Sequence, residues 1–113
     1  MWIITEDGFF NIVQYEEDRE RDFLTLKARR RADLVAAGAD IYPAKPPKMY
    51  IEESEDADYK FRMKAPRKKV MSYVASYVGT IDYPKTKDAL HAAHPDRDKI
   101  YLAVWDTLSE LQK

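Results

Sequence analysis

Two stretches of this 113-residue chain alternate with a period of two, and they leave few folds open. Residues 24–31 (LTLKARRR) and 59–64 (YKFRMK) each carry three cations on every second position. Successive side chains of a β-strand point to opposite faces. Lys27, Arg29 and Arg31 therefore fall on one side, with Leu24, Leu26 and Ala28 on the other. Lys60, Arg62 and Lys64 repeat the pattern, with Tyr59, Phe61 and Met63 turned inward. Strands patterned in this way belong in an antiparallel sheet with one face covered and one face open. Six cations are expected on the open face.

The cover is supplied by helical segments. Pro66 suits a first helical position, and behind it Val70, Val74, Tyr77, Val78 and Ile81 recur at three- and four-residue spacing. A last helix presents Ile100, Tyr101, Val104, Trp105, Leu108 and Leu111, with Asp96 as its cap. Shorter helices are expected over 32–37, stopped by Gly38, and over 85–94, stopped before Pro95. Near the N-terminus, 2–5 reads as a strand and Asp7-Gly8 as a hairpin turn. Residues 9–15 (FFNIVQY) read as a strand apolar on both faces, hence central. Residues 40–48 hold three prolines and read as irregular, while 49–52 reads as an edge strand. The acidic stretch 16–22 reads as a solvated loop or the tip of a longer hairpin leading into 24–31, and 53–58 as the turn into 59–64. These elements predict a single α+β domain over 1–113, a mostly antiparallel sheet with helices packed on one face, ferredoxin-like or related. Val74, Val78, Val104 and Trp105 are expected to be buried together.

Charged residues make up 35% of the chain, yet the formal net charge is −1, so no global basic field marks a nucleic-acid binder. The absence of cysteine excludes disulfides, thiolate metal sites and cysteine nucleophiles. No apolar run approaches the ~20 residues of a membrane helix. The first residues, MWIITED, lack the basic start and apolar segment of a secretory signal. A cytoplasmic location without a membrane partner is expected.

Several ordered motifs are familiar together. The opening MWIITEDGFFNIVQ, then LTLKARRRADL, ADYKFRM, IDYPKTK and YLAVW resemble those of a family of small uncharacterised bacterial proteins, spanning Met1 to Trp105. Asn11 stands where that family has a serine, and Lys85-Thr86 where it has Asn-Phe, while Asp82, Tyr83 and Lys87 are kept. The resemblance implies single-domain integrity rather than a chemistry.

Arg67, Lys68 and Lys69 add cations to a helix first turn, where the macrodipole disfavours them and a bound anion would offset the repulsion. Tyr15, Phe9 and Tyr83 are candidate exposed aromatic platforms beside the cations. His91 and His94, near Asp88 and Asp96, are spaced to share a helix face, but no third ligand is fixed, so no metal is expected. Asp82, Tyr83 and Lys87 could move a proton, although a capping aspartate, a packed ring and a solvated lysine explain them as well. With three glycines and no serine elbow, neither a phosphate loop nor a hydrolase motif is present.

The expected function is a non-enzymatic binding or regulatory module, such as a phage- or host-encoded inhibitor, with no cofactor and no catalytic residues. Its binding residues are Lys27, Arg29, Arg31, Lys60, Arg62, Lys64 and Arg67. An acidic protein surface ranks ahead of a polyanion or nucleic acid as partner, and an edge strand offers a route to a homodimer. The alternative is a small enzyme acting on a nucleotide or phosphorylated substrate, with the same arginines as anion clamps.

Overall fold

The computed structural model describes residues 1–46 and 50–113. The expectations for 40–48 and 49–52 therefore fall partly outside the described residues, at Pro47, Lys48 and Met49. The chain divides into two compact units, Met1–Ile81 and Asp82–Lys113.

In the first unit, β1 (Trp2–Thr5) and β2 (Gly8–Val13) form a hairpin, followed by β3 (Phe23–Ala28) and α1 (Arg31–Ile41). Then come β4 (Ile51–Glu53), β5 (Phe61–Pro66) and α2 (Arg67–Gly79). All pairings are antiparallel, in the order β1-β2-β3-β5-β4, which makes β2 an inner strand. Register places Ile12, Leu26, Met63 and Ile51 in one row across four strands. This row belongs to the covered face. Phe10, Leu26, Leu34 and Met63 are fully buried there, with Ala37 and Ile41 of α1 and Val70 and Tyr73 of α2 closing over them. The result is the predicted α+β arrangement, an antiparallel sheet with helices on one face.

The hairpin turn depends on Gly8. Its φ is +146°, and a Cβ built there would lie 2.1 Å from Asp33 Cγ. Asp33 is buried in the first turn of α1 and accepts the Phe9 N–H at 3.2 Å, so the turn closes against the helix start.

Several boundaries differ from the sequence reading. β3 ends at Ala28, and Arg31 opens α1 instead of extending the strand. Helix over 31–41 buries Leu34, Ala37 and Ile41, which a longer strand would not, and tertiary packing of this kind outweighs the Gly38 penalty. Gly38 does not stop this helix; it is buried within it, and the helix ends before Tyr42-Pro43, where a residue preceding proline avoids helical angles. Pro66 is the last residue of β5 and stands before α2 in extended geometry.

The second unit holds α3 (Thr86–Ala93), a 3-10 turn at Pro95–Arg97, α4 (Asp98–Leu108) and a closing 3-10 turn at Ser109–Gln112. Lys85, not Asp82, precedes α3, and Arg97, not Asp96, precedes α4; neither position makes a side-chain cap bond. The joint burial predicted for four residues is not observed. Val74 is half-buried, whereas Val78, Val104 and Trp105 are exposed. The inward stripe of α2 runs through Val70 and Tyr73 with Val74 and Tyr77 at its margin, which turns Val78 outward. Trp105 carries the Lys87 ammonium 4.2 Å from its ring centre. No helix among the described residues is long and apolar enough to cross a membrane.

Candidate docking face

The face of the first-unit sheet opposite the core carries a second row. Register aligns Trp2, Asn11, Lys27, Arg62 and Glu52 across all five strands. Lys27 and Arg62 are direct cross-strand partners. Like charges placed opposite each other destabilise a sheet, and among the described residues neither forms an ion pair. Aromatic rings stand in for carboxylates at Lys27. Its Nζ lies 5.7 Å from the Tyr15 ring centre and 5.4 Å from that of Tyr59. Arg62 Nε is buried with no hydrogen-bond partner.

The other predicted cations are more committed. Arg29 donates to the Asp58 carbonyl at 2.8 Å and lies 4.6 Å over the Tyr59 ring. Lys60 pairs with Glu55 at 3.0 Å and Glu53 at 3.4 Å, and these hydrogen bonds, Glu55 first, hold its pKa above the ordinary lysine value. Lys64 meets Asp18 at 2.5 Å and Glu17 at 4.0 Å. Arg67 donates to both oxygens of Asp22 at 2.9 and 3.0 Å, so a carboxylate of the chain itself sits at the start of α2. Arg31 is exposed on α1 and lies outside the strand in which it was expected. Among the described residues the six-cation face thus reduces to the Lys27–Arg62 pair without an ion pair, with Arg29 beside it on a carbonyl.

Tyr59 also departs from the sequence reading. It is buried as expected, at 5% exposure, but on the other side of the sheet, where its ring lies 6.2 Å from Phe9 and beneath Lys27 and Arg29. β5 begins at Phe61, so Tyr59 precedes the ladder and the strand alternation does not govern it. Trp2 packs edge-on to Phe9 at 6.3 Å, which extends the aromatic group to the sheet edge.

The acidic segment 16–22 is not wholly solvated. Its 3-10 turn at Glu16–Asp18 buries Asp18 to 2% exposure. Arg21 donates to Asp18 Oδ1 at 2.7 and 3.0 Å while its guanidinium lies 4.1 Å over Phe23. Tyr15 lies under both Lys27 and Lys64. Asp22 adopts φ 55°, and its carbonyl accepts the Arg67 N–H at 3.0 Å. Nothing in EEDRERD distinguishes Asp18 from its acidic neighbours, so only the contacts identify it.

Hydrogen bonds from Lys64 and then Arg21 hold the Asp18 carboxyl below its ordinary pKa of 3.8. Arg67 and Gln14 do the same for Asp22. A depressed carboxylate stabilises the fold fully above its unfolded value and loses that contribution as pH falls through the folded value. Stability is therefore expected to hold from neutrality down to about pH 4 and to decline below it. In Asp18→Asn, urea midpoints measured across pH should show a shallower acid decline.

Thr25, beside this segment, is fully buried, and its Oγ1 has no hydrogen-bond partner. A buried hydroxyl without a partner costs about 1–3 kcal/mol. Thr25→Val should therefore raise stability by about 1 kcal/mol in chemical denaturation, and a loss would show that the hydroxyl is satisfied in solution.

Elsewhere, Tyr73 donates to Asp7 at 2.7 Å. Burial, then the Asp7 contact, push its hydroxyl pKa far up, so it remains a donor at neutral pH. His91 Nδ1 contacts the Asp98 carboxylate. No group of three or more His, Cys, Asp or Glu residues that could hold a metal occurs among the described residues. Asp82 and Lys87 are exposed, and Lys87 lies on Trp105.

No protein-family model, curated protein or solved structure matches this chain.

Proposed function

We propose that the first unit is a non-enzymatic docking module that holds an acidic protein surface on its open sheet face. The Lys27–Arg62 pair carries this reading. It brings two cations together on adjacent strands, and among the described residues neither forms an ion pair. The rest of the face favours a protein over a continuous polyanion. Glu17 lies beside Lys64, Glu53 and Glu55 beside Lys60, and Glu52 opposite Arg62, all four exposed, so a chain of phosphates crossing the row meets carboxylates at its rims. Trp2, Phe9 and Arg29 add the aromatic and arginine anchors that dominate protein interfaces. The near-neutral charge supplies no long-range field to steer nucleic acid.

The test uses Trp2 as reporter in a Trp105→Phe background. Oligoglutamate and single-stranded DNA of equal charge are titrated at two salt concentrations. The acidic peptide is expected to bind and the DNA to bind more weakly. Converting Lys27 and Arg62 to glutamate should weaken peptide binding by about tenfold or more, measured on variant protein that circular dichroism shows to be folded. DNA binding tighter than peptide, with a steep fall in salt, would transfer the proposal to nucleic acid.

A further inference from the structure

We infer that the docked segment carries a large apolar side chain about three residues from its carboxylate, the first seated on Trp2 and the second on Lys27 and Arg62. This rests on the docking reading above and specifies the chemistry of the partner.

The chain already shows how an acidic segment sits on this sheet. Tyr15 and Asp18, three residues apart, occupy one part of the open face. The Tyr15 ring takes the Lys27 and Lys64 ammoniums at 5.7 and 5.5 Å, while the Asp18 carboxylate pairs with Lys64. An aromatic ring and a carboxylate together satisfy the cations there. The remainder of the face has the rings, and among the described residues no carboxylate there pairs with Lys27 or Arg62, although Glu52 stands opposite Arg62. Lys27 lies over Tyr59 and Arg62 stands opposite it, and Trp2 projects from the same row at 75% exposure. A tryptophan so exposed on an edge strand loses apolar area to water that a partner side chain would cover.

Register sets the spacing. Trp2 pairs with Asn11 and Asn11 with Lys27, so two inter-strand steps separate the tryptophan from the lysine. At about 4.8 Å per step this is roughly 10 Å. An extended peptide advances about 3.3 Å per residue, so about three residues span the distance. Glu52 ends the row beyond Arg62 and is exposed, so a basic residue following the carboxylate would meet a complementary charge.

Three fluorescein-labelled peptides test this by anisotropy. The first contains Leu-Ser-Ser-Glu-Glu, the second Ser-Ser-Leu-Glu-Glu, and the third Ser-Ser-Ser-Glu-Glu. The first should bind about tenfold tighter than the other two. Trp2→Ala should erase that advantage and leave the weaker, charge-driven binding of the third peptide in place. Conversion of both Lys27 and Arg62 to glutamate should remove binding of all three, with circular dichroism confirming that each variant is folded. Equal binding of the peptides, or an advantage that survives Trp2→Ala, overturns the inference while the docking reading stands. A phosphoserine peptide that binds tighter than all three regardless of leucine also overturns it and assigns the cations to a phosphoryl group. Binding that persists after the double charge reversal removes the docking reading and this inference with it.

Discussion

Replacing Gly8 with alanine is expected to destabilise the first unit by about 2–6 kcal/mol, a large part of the ~5–15 kcal/mol that holds a domain folded. Two independent costs add. The φ of +146° is a conformation that L side chains rarely adopt, and such strain costs about 1–3 kcal/mol. The new methyl would also stand 2.1 Å from Asp33 Cγ and 2.7 Å from its Cβ. Relief requires α1 to shift or Asp33 to release the Phe9 N–H, and overpacking of this kind costs about 1–3 kcal/mol more. Gly79 provides the internal control. It ends α2, and a Cβ there meets nothing within 4 Å. Gly79→Ala should be neutral or stabilising by up to about 1 kcal/mol. Urea denaturation of the two variants compares them directly, and a Gly8→Ala midpoint equal to that of the parent would show that the turn does not close on α1.

The second large effect is expected at Leu26. It is fully buried at the centre of the row formed with Ile12 and Met63, beneath α1 and α2. Truncation to alanine removes burial and leaves a cavity that rigid neighbours cannot fill, at a cost of about 2–5 kcal/mol. Val78→Ala is the informative comparison, because the apolar spacing alone ranks Val78 with the core while the fold leaves it 65% exposed. Its truncation should change stability by no more than about 0.5 kcal/mol. Equal losses at the two positions would restore the helix face read from the sequence.

Much of the fold was legible because local chemistry and tertiary demand agree. The alternation in 24–28 and 61–64 makes any strand there one-sided, and one-sided antiparallel strands must cover one face. The apolar spacing behind Pro66 forces an amphipathic helix to supply that cover. The sign of Lys27, Arg62 and Lys64 on the open face follows from parity alone. Parity fails where the ladder stops. Residues 29–31 continue the alternation in the sequence, yet the burial of Leu34, Ala37 and Ile41 makes a helix from Arg31 the better use of the chain. Tyr59 likewise precedes β5 and turns to the open face.

What the sequence by itself determined is the antiparallel α+β class, the inward residues of β3 and β5 and the sign of the charges on their other side. Each depends on periodicity within one segment. Only the tertiary structure decided which cations remain available, because pairing is settled by residues distant along the chain. Asp18 reaches Lys64 across 46 positions, and Asp22 reaches Arg67 across 45. The same folding leaves Lys27 and Arg62 side by side, Lys27 on aromatic rings, and among the described residues neither in an ion pair. Charge pairs form through space over a few ångströms, and a pattern read along the chain carries no record of which acid will lie nearest which base.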